Sequence, residues 1–193
     1  MLSEIRPAIV STVLFTLLLG VGYPLAVTGI SKAVFPFQAE GSLIHDGSGK
    51  VIGSALIAQN FARPEYLHPR PSAAGNGYDA SNSSGSNYGP LSADLLKRVK
   101  GDAAALRAST GRQEIPDDAI TTSGSGLDPD ITPAYALLQA DRIARARGLS
   151  PDAVRAVIAA HVDQPFLGFI GQPRVNVLQT NLALDAKAPK AHA

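Results

Sequence analysis

Hydrophobic and polar positions follow three different rules along this chain. The first stretch has no polar face at all. From Pro7 to Ser31 no side chain is charged, with Arg6 before it and Lys32 after it. A bilayer core of about 30 Å needs about 20 helical residues, so a run of roughly 25 can cross with some tilt. Its Leu, Ile, Val and Phe side chains each favour insertion by about 0.3 to 0.6 kcal/mol. The pattern predicts a retained membrane anchor, because a cleaved leader has a shorter apolar region and a small-residue cleavage site. Within the run, Ala8, Thr12, Thr16, Gly20, Pro24 and Thr28 recur at every fourth position. Small residues at that spacing let a second helix approach closely. Thr12, Thr16, Gly20, Pro24 and Thr28 are therefore a candidate docking face; a lone anchor that tolerates small residues is the simpler alternative. Pro24 is expected to deform the helix near Gly20.

The second rule is alternation broken by turns. Pro36 ends the span, and Gly41–Ser54 reads as two short strands around Asp46-Gly47. Gly47-Ser48-Gly49-Lys50 resembles a phosphate loop only in part. That motif wants glycine where Ile44 stands and Ser or Thr where Val51 stands. Between Arg70 and Pro90 lies a long stretch of small residues carrying Arg70, Tyr78, Asp79 and Asn87. Such a mixture predicts an ordered loop whose side chains bond its own backbone. A second Ser-Gly stretch, Ser123 to Gly126, could lie against Ser84-Gly85-Ser86, either presenting amides to a ligand or packing tight turns.

The third rule is helical periodicity. Leu91 to Ser109 is a helix candidate with Leu95, Leu96, Val99, Ala103 and Leu106 on one side. Thr132-Pro133 starts a helix running to about Arg147, with Gly148 as its stop. Ser150-Pro151 starts a third, bearing Val154, Val157, Ile158 and His161. From Arg174, the Val175/Val177 alternation predicts a strand, and Leu178 to Leu184 could be helical. A frayed tail is expected around Lys187, Pro189 and Lys190. The fold class is a single N-terminal transmembrane α-helix followed by an α+β soluble domain. Residues 1–36 are assigned to the anchor and 37–193 to the domain.

Composition then narrows the chemistry. Seventeen basic and sixteen acidic side chains leave a formal charge of +1, and cysteine is absent. No basic run interleaves with aromatics, so nucleic acid is not an expected partner. There is no disulfide framework, thiol nucleophile or thiolate metal site. No G-x-S-x-G elbow occurs, and His45, His68, His161 and His192 have no evident serine partner by spacing. Asp128, Asp130, His161 and Asp163 could be drawn as metal ligands. Asp-x-Asp after a glycine turn reads more simply as loop and cap chemistry, and no metal site is assigned.

Several blocks together carry a resemblance. Gly53-Ser54-x-Leu56-Ile57-x-Gln59-x-Phe61-x-x-Pro64-x-Tyr66 is followed by Arg70-Pro71-Ser72, Tyr78-Asp79 and Ser84-Gly85-Ser86-Asn87-x-Gly89-Pro90. Thr122-Ser123-Gly124-Ser125-Gly126-Leu127-Asp128-Pro129 continues it, as do Gln139-x-x-Arg142 and Pro173-Arg174-Val175-Asn176. In order and over nearly the whole chain, these resemble the C subunit of the bacterial Kdp potassium-transporting ATPase. The resemblance implies an accessory, non-catalytic subunit of an ATP-driven potassium-uptake complex in the inner membrane, with its soluble domain on the periplasmic side. The implied partners are a channel-like potassium-binding subunit, a P-type ATPase subunit, a small single-span subunit and the lipid bilayer. ATP and potassium would be handled by the complex, with no cofactor held by this chain. The loop residues Arg70, Pro71, Ser72, Tyr78, Asp79, Ser84, Gly85, Ser86, Asn87, Ser123, Gly124, Ser125, Gly126 and Asp128 become candidate partner contacts. Members of this family have also been described as chaperones that raise ATP affinity, a role linked to a glutamine matching Gln139. The competing reading is a membrane-tethered nucleotide- or ligand-binding module.

Overall fold

A computed structural model of the chain describes residues 2–188; of the expected frayed tail, Lys187 is instead the last residue of a helix that begins at Val177, while Pro189 and Lys190, like His192, lie outside the described residues. The structure divides into two units, one ending at Ser54 and one beginning at Ala55.

The first unit opens with a helix that runs from Ile5 to Val34, long and apolar enough to cross a membrane. At 1.5 Å per residue, its 30 residues extend about 45 Å. It comprises α1 (Ile5–Leu17), a π-helical turn (Leu18–Gly22) and α2 (Tyr23–Val34). The deformation expected at Gly20 takes the form of that π turn. Pro24 has no N–H to offer the Gly20 carbonyl, and the Tyr23 N–H reaches back five residues to the Leu18 carbonyl. The helix stops at Val34, since Phe35 precedes a proline and leaves the helical region (φ −132°, ψ 59°). Pro36 then starts a single further turn, α3 (Pro36–Ala39). The expected hairpin follows: β1 (Leu43–His45) pairs antiparallel with β2 (Val51–Ser54), with a register shift between Ile44 and His45. Its turn is held by the Asp46 carboxylate, which accepts from the Ser48 N–H, the Ser48 hydroxyl and the Lys50 N–H.

The second unit combines helices with a small antiparallel sheet. The long helix α4 (Ala93–Thr110) is capped by Ser92 and ends at Gly111 in the left-handed region. Of its expected inner face, Ala103 is buried and Val99 and Leu106 pack against the core, whereas Leu96 points out, 54% exposed. Leu95, Val99, Ala103 and Leu106 keep helical spacing without it, so the face is narrower than the sequence predicts. The helix expected from Pro133 to Arg147 is two segments, α5 (Pro133–Leu138) and α6 (Ala140–Arg147), joined at Gln139. Thr132 caps the first and Gly148 (φ 65°) closes the second. The third helix, α7 (Pro151–Ala160), is capped by Ser150 and buries Val154, Val157 and Ile158; His161 lies just beyond its end.

Two strands too short to show alternation, β3 (Asp130–Ile131) and β4 (Val162–Asp163), flank β5 (Arg174–Asn176) in the order β3-β5-β4. The strand expected through Val177 ends one residue earlier. Asn176 accepts the Gln179 N–H and caps α8 (Val177–Lys187), so Val177 is the first residue of a helix. Helix α8 buries Val177, Leu178, Thr180, Asn181 and Leu184 along one face. Leu67, Ile143, Val154, Ile158, Val175 and Leu184 are fully inaccessible and form the centre of this unit. An N-terminal apolar helix followed by an α+β domain is therefore the observed fold class.

Candidate functional site

The candidate residues fall into three groups, the first of them on the face of the apolar helix. Thr12, Thr16, Gly20, Pro24 and Thr28 are all exposed, as are the apolar side chains around them. A four-residue spacing overshoots the 3.6-residue α turn by about 40° per step, so the stripe would wind round a regular helix. The wider turn at Leu18–Gly22 takes up part of that overshoot between Thr16 and Pro24. A Cβ built on Gly20 meets only the Thr16 methyl group, at 4.0 Å. Nothing within this helix therefore demands glycine there.

The second group is the long loop and the Ser-Gly stretch it packs on. The two Ser-Gly-Ser elements do lie together. The Ser84 N–H and the Ser83 hydroxyl both donate to the Ser125 carbonyl, at 3.0 and 2.9 Å. A Cβ on Gly85 would stand 3.0 Å from the Gly124 carbonyl oxygen. One on Gly126, at φ +68°, would stand 2.6 Å from the Ser84 oxygen and 2.7 Å from the Ala74 nitrogen. Backbone touches backbone here, which only glycine permits.

Side chains tie the same web. The Ser72 hydroxyl donates to the Gly126 carbonyl at 2.6 Å and accepts from the Ala74 and Tyr78 N–H groups. Tyr78, itself at φ 57°, donates its hydroxyl to the Arg70 carbonyl, and burial pushes that hydroxyl's pKa up. Arg70 binds Asp128 at 3.1 Å and reaches the Thr121 and Thr122 carbonyls, with Pro71 half-buried beside it. Asp79 is kept below the usual carboxylate range, first by the Ser81 hydroxyl and then by the Ser81 N–H. Ser123 is buried against Ser125, whose hydroxyl accepts the Leu127 N–H. Ser86 is half-buried and Asn87, at φ 54°, is exposed at the far end. The bonded amides of this web thus face its own carbonyls and hydroxyls, as the tight-turn alternative requires, around an open cleft bordered by Leu56, Arg70 and Asp128.

The third group surrounds Gln139. Its carboxamide oxygen accepts from the His68 N–H at 2.8 Å and from Arg142 Nη2 at 2.6 Å, while its nitrogen donates to the His68 carbonyl at 3.1 Å. Asn181, from α8, does the same for the preceding residue: it accepts from the Leu67 N–H at 2.7 Å and donates to the Leu67 carbonyl at 3.0 Å. A buried stretch of chain that joins no sheet is thereby satisfied by two side-chain amides, one from each helical side. Arg142 completes the clamp on the Pro64 and Tyr66 carbonyls, at 2.6 and 3.0 Å. Tyr66 in turn lies beneath the Arg63 and Arg147 guanidinium groups and donates to Asp185.

The electrostatics of this cluster are those of a frame. Burial first, and then the Arg142 charge 3.1 Å from Nε2, hold His68 below the usual histidine range. Burial lowers Arg142 as well, and Tyr135 beside them is pushed up to about 12. His68 and Tyr135 are therefore neutral near pH 7, and neither is paired to a nucleophile. Asp130 and Asp163 both contact Arg174, and the His161 ring bonds the Val157 carbonyl. Among the described residues, no three His, Cys, Asp or Glu side chains are grouped to hold a metal ion. Sequence reasoning passed over Asn181, Arg142 and His68 as a unit. An Asn between Leu178 and Leu184 on the inward face of a helix was the available signal.

Comparison with known proteins finds relatives over nearly the whole chain. The family model described as KdpC, K+-transporting ATPase, c chain, matches residues 5–186. The potassium-transporting ATPase KdpC subunit of Caulobacter vibrioides (strain NA1000 / CB15N) is 66% identical over 189 residues, 98% of this chain and 96% of that protein. The protein of the same name from Beijerinckia indica is 62% identical over 191 residues, again covering 98% of this chain and 96% of its own length. That of Rhodopseudomonas palustris (strain ATCC BAA-98 / CGA009) is 50% identical over 202 residues, covering 98% of this chain and all of its own.

Proposed function

The chain belongs to the KdpC family, and on that premise we propose that it is an accessory, non-catalytic subunit of an ATP-driven potassium-uptake complex. Residues 1–36 anchor it in the inner membrane and residues 37–193 form a domain on the periplasmic side. The observation that carries this reading is the near-full-length likeness, which runs through the apolar helix as well as the globular unit. Its partners are the channel-like potassium-binding subunit, the P-type ATPase subunit and the small single-span subunit, met through the bilayer by the face from Thr12 to Thr28. Potassium selection takes rings of carbonyl oxygens from several loops, and a single-span chain leaves that task to the channel-like subunit. ATP hydrolysis belongs to the P-type subunit. A chaperone role that raises ATP affinity through Gln139 is less favoured, because both ends of its carboxamide are occupied by His68 and Arg142.

Two measurements on the intact complex test this reading. A Cβ at position 20 has room within the helix, so the expected effect of Gly20→Leu, a loss of about tenfold in co-purified pump subunits, is assigned to the helix contact. Full co-purification would remove that docking face. A cysteine at Asn87, an exposed position in a chain with no native cysteine, should react in intact cells with a membrane-impermeant thiol reagent. Reaction only after the inner membrane is opened would overturn the periplasmic assignment.

A further inference from the structure

The loop between β4 and β5, residues 164–173, has the opposite character from the Ser-Gly web. Ten residues from Gln164 to Pro173 carry no charge, and its tip holds four large apolar side chains away from the core. Phe166 is 70% exposed, Leu167 69%, Phe169 75% and Ile170 52%. The tip is nevertheless built: Phe166 and Ile170 exchange both backbone hydrogen bonds, at 3.0 and 2.9 Å, and the Gly168 N–H donates to the Pro165 carbonyl. Leu167 occupies the left-handed region at φ 54°, where a turn made only for solvent takes Gly, Asn or Asp. Below the tip, Arg174 stands between Asp130 at 3.2 Å and Asp163 at 3.5 Å. Two carboxylates share one guanidinium, leaving an acidic collar.

We infer that loop 164–173 is a preformed apolar plug that seats in a recess on another subunit of the transport complex, a recess that is apolar inside and basic at its rim. This rests on the reading of the chain as a subunit of that complex. Two observations select the occupant. The four side chains expose on the order of 500 Å², below the roughly 800 Å² per partner of a self-sufficient interface. The plug therefore works where other contacts, such as the membrane helix, already hold the partners together. The acidic collar offers lipid phosphate groups no free cationic partner, since its one guanidinium is already taken by two carboxylates. It also disfavours a second copy of this chain, which would bring two acidic collars face to face.

The test places a photoreactive phenylalanine analogue at position 169 of the full-length chain, in membranes containing the whole complex. An exposed control position, Asp152 on α7, carries the same probe. The expected product is a covalent adduct joining position 169 to another subunit, at least about tenfold above the control. Asp163→Lys should lower its yield several-fold, and an unchanged yield would overturn the basic rim. An adduct with lipid, an adduct with a second copy, or no adduct in a complex that has assembled would overturn the plug. If the wild-type chain never co-purifies with the pump subunits, it is the proposed function that fails, and the two failures are told apart. As a second arm, Phe166→Ser with Phe169→Ser should leave the melting temperature unchanged while cutting several-fold the adduct yield from the same probe placed at position 167. An unchanged adduct yield would overturn the proposal.

Discussion

The loops at 70–90 and 164–173 are both long excursions outside the major helices, and they solve opposite problems. The first is made of small polar residues that turn inward: Ser72, Tyr78 and Ser84 bond backbone groups of the same web. The second turns its large apolar residues outward and closes its tip with backbone bonds between its own residues. A polar loop near a core has to satisfy its donors and acceptors, and once satisfied they have little left for a ligand. An apolar loop has only van der Waals contact and water exclusion to offer, and both need a partner surface. Richness in serine and glycine is thus a mark of internal cement here, while the plainer phenylalanine turn is the surface with unused capacity.

Substitutions should separate the two loops sharply. Gly126→Ala should have the largest effect, because its Cβ meets two backbone atoms under 3 Å at a positive φ. A loss of about 3 kcal/mol or more is expected in denaturant unfolding of the full chain in detergent; a loss below about 1 would mean the web yields easily. Asn181→Leu follows. It keeps the size but strips partners from the Leu67 N–H and carbonyl, at an expected cost of about 2 to 4 kcal/mol by the same measurement.

Gln139→Leu removes the matching clamp on His68 and should cost about 2 kcal/mol, with the KM of the assembled complex for ATP unmoved. A raised KM with unchanged stability would instead bring the nucleotide-related reading forward. The doubly substituted plug, Phe166→Ser with Phe169→Ser, should shift stability by less than about 0.5 kcal/mol, since both rings are already in solvent.

A pH effect from His68 should be smaller still than the core substitutions. Its folded pKa lies below the ordinary 6.5, so the unfolded chain takes up the proton first as pH falls. Its contribution is complete above about pH 6.5 and is lost as pH drops through the depressed folded value. Replacing His68 with Gln should flatten that slope in melting curves taken between neutral and mildly acidic pH.

The one-dimensional signals were strong wherever a local rule sufficed. An uncharged run predicts the spanning helix from composition alone, Asp46-Gly47 predicts its hairpin, and Thr132, Ser150 and Gly148 mark helix ends because capping is a contact between near neighbours in sequence. The order of the Ser-Gly loop was also legible, since its anchoring residues are visible in the text of the chain. What the sequence left undecided depended on residues far apart in it. Strands of two residues, β3 and β4, exist only because β5 lies between them. The break at Gln139 and the outward turn of Leu96 follow from packing on other elements.

The deepest division runs through the amides. That Gln139 and Asn181 are amide side chains is written in the sequence; that they clamp adjacent residues, His68 and Leu67, from opposite sides required the fold to bring three distant segments together. The same holds for the phenylalanine turn. Its apolar composition is plain from Gln164 to Pro173, but only the tertiary structure decides that the core has no place for it, because burial belongs to the whole packed unit and not to any one stretch of chain.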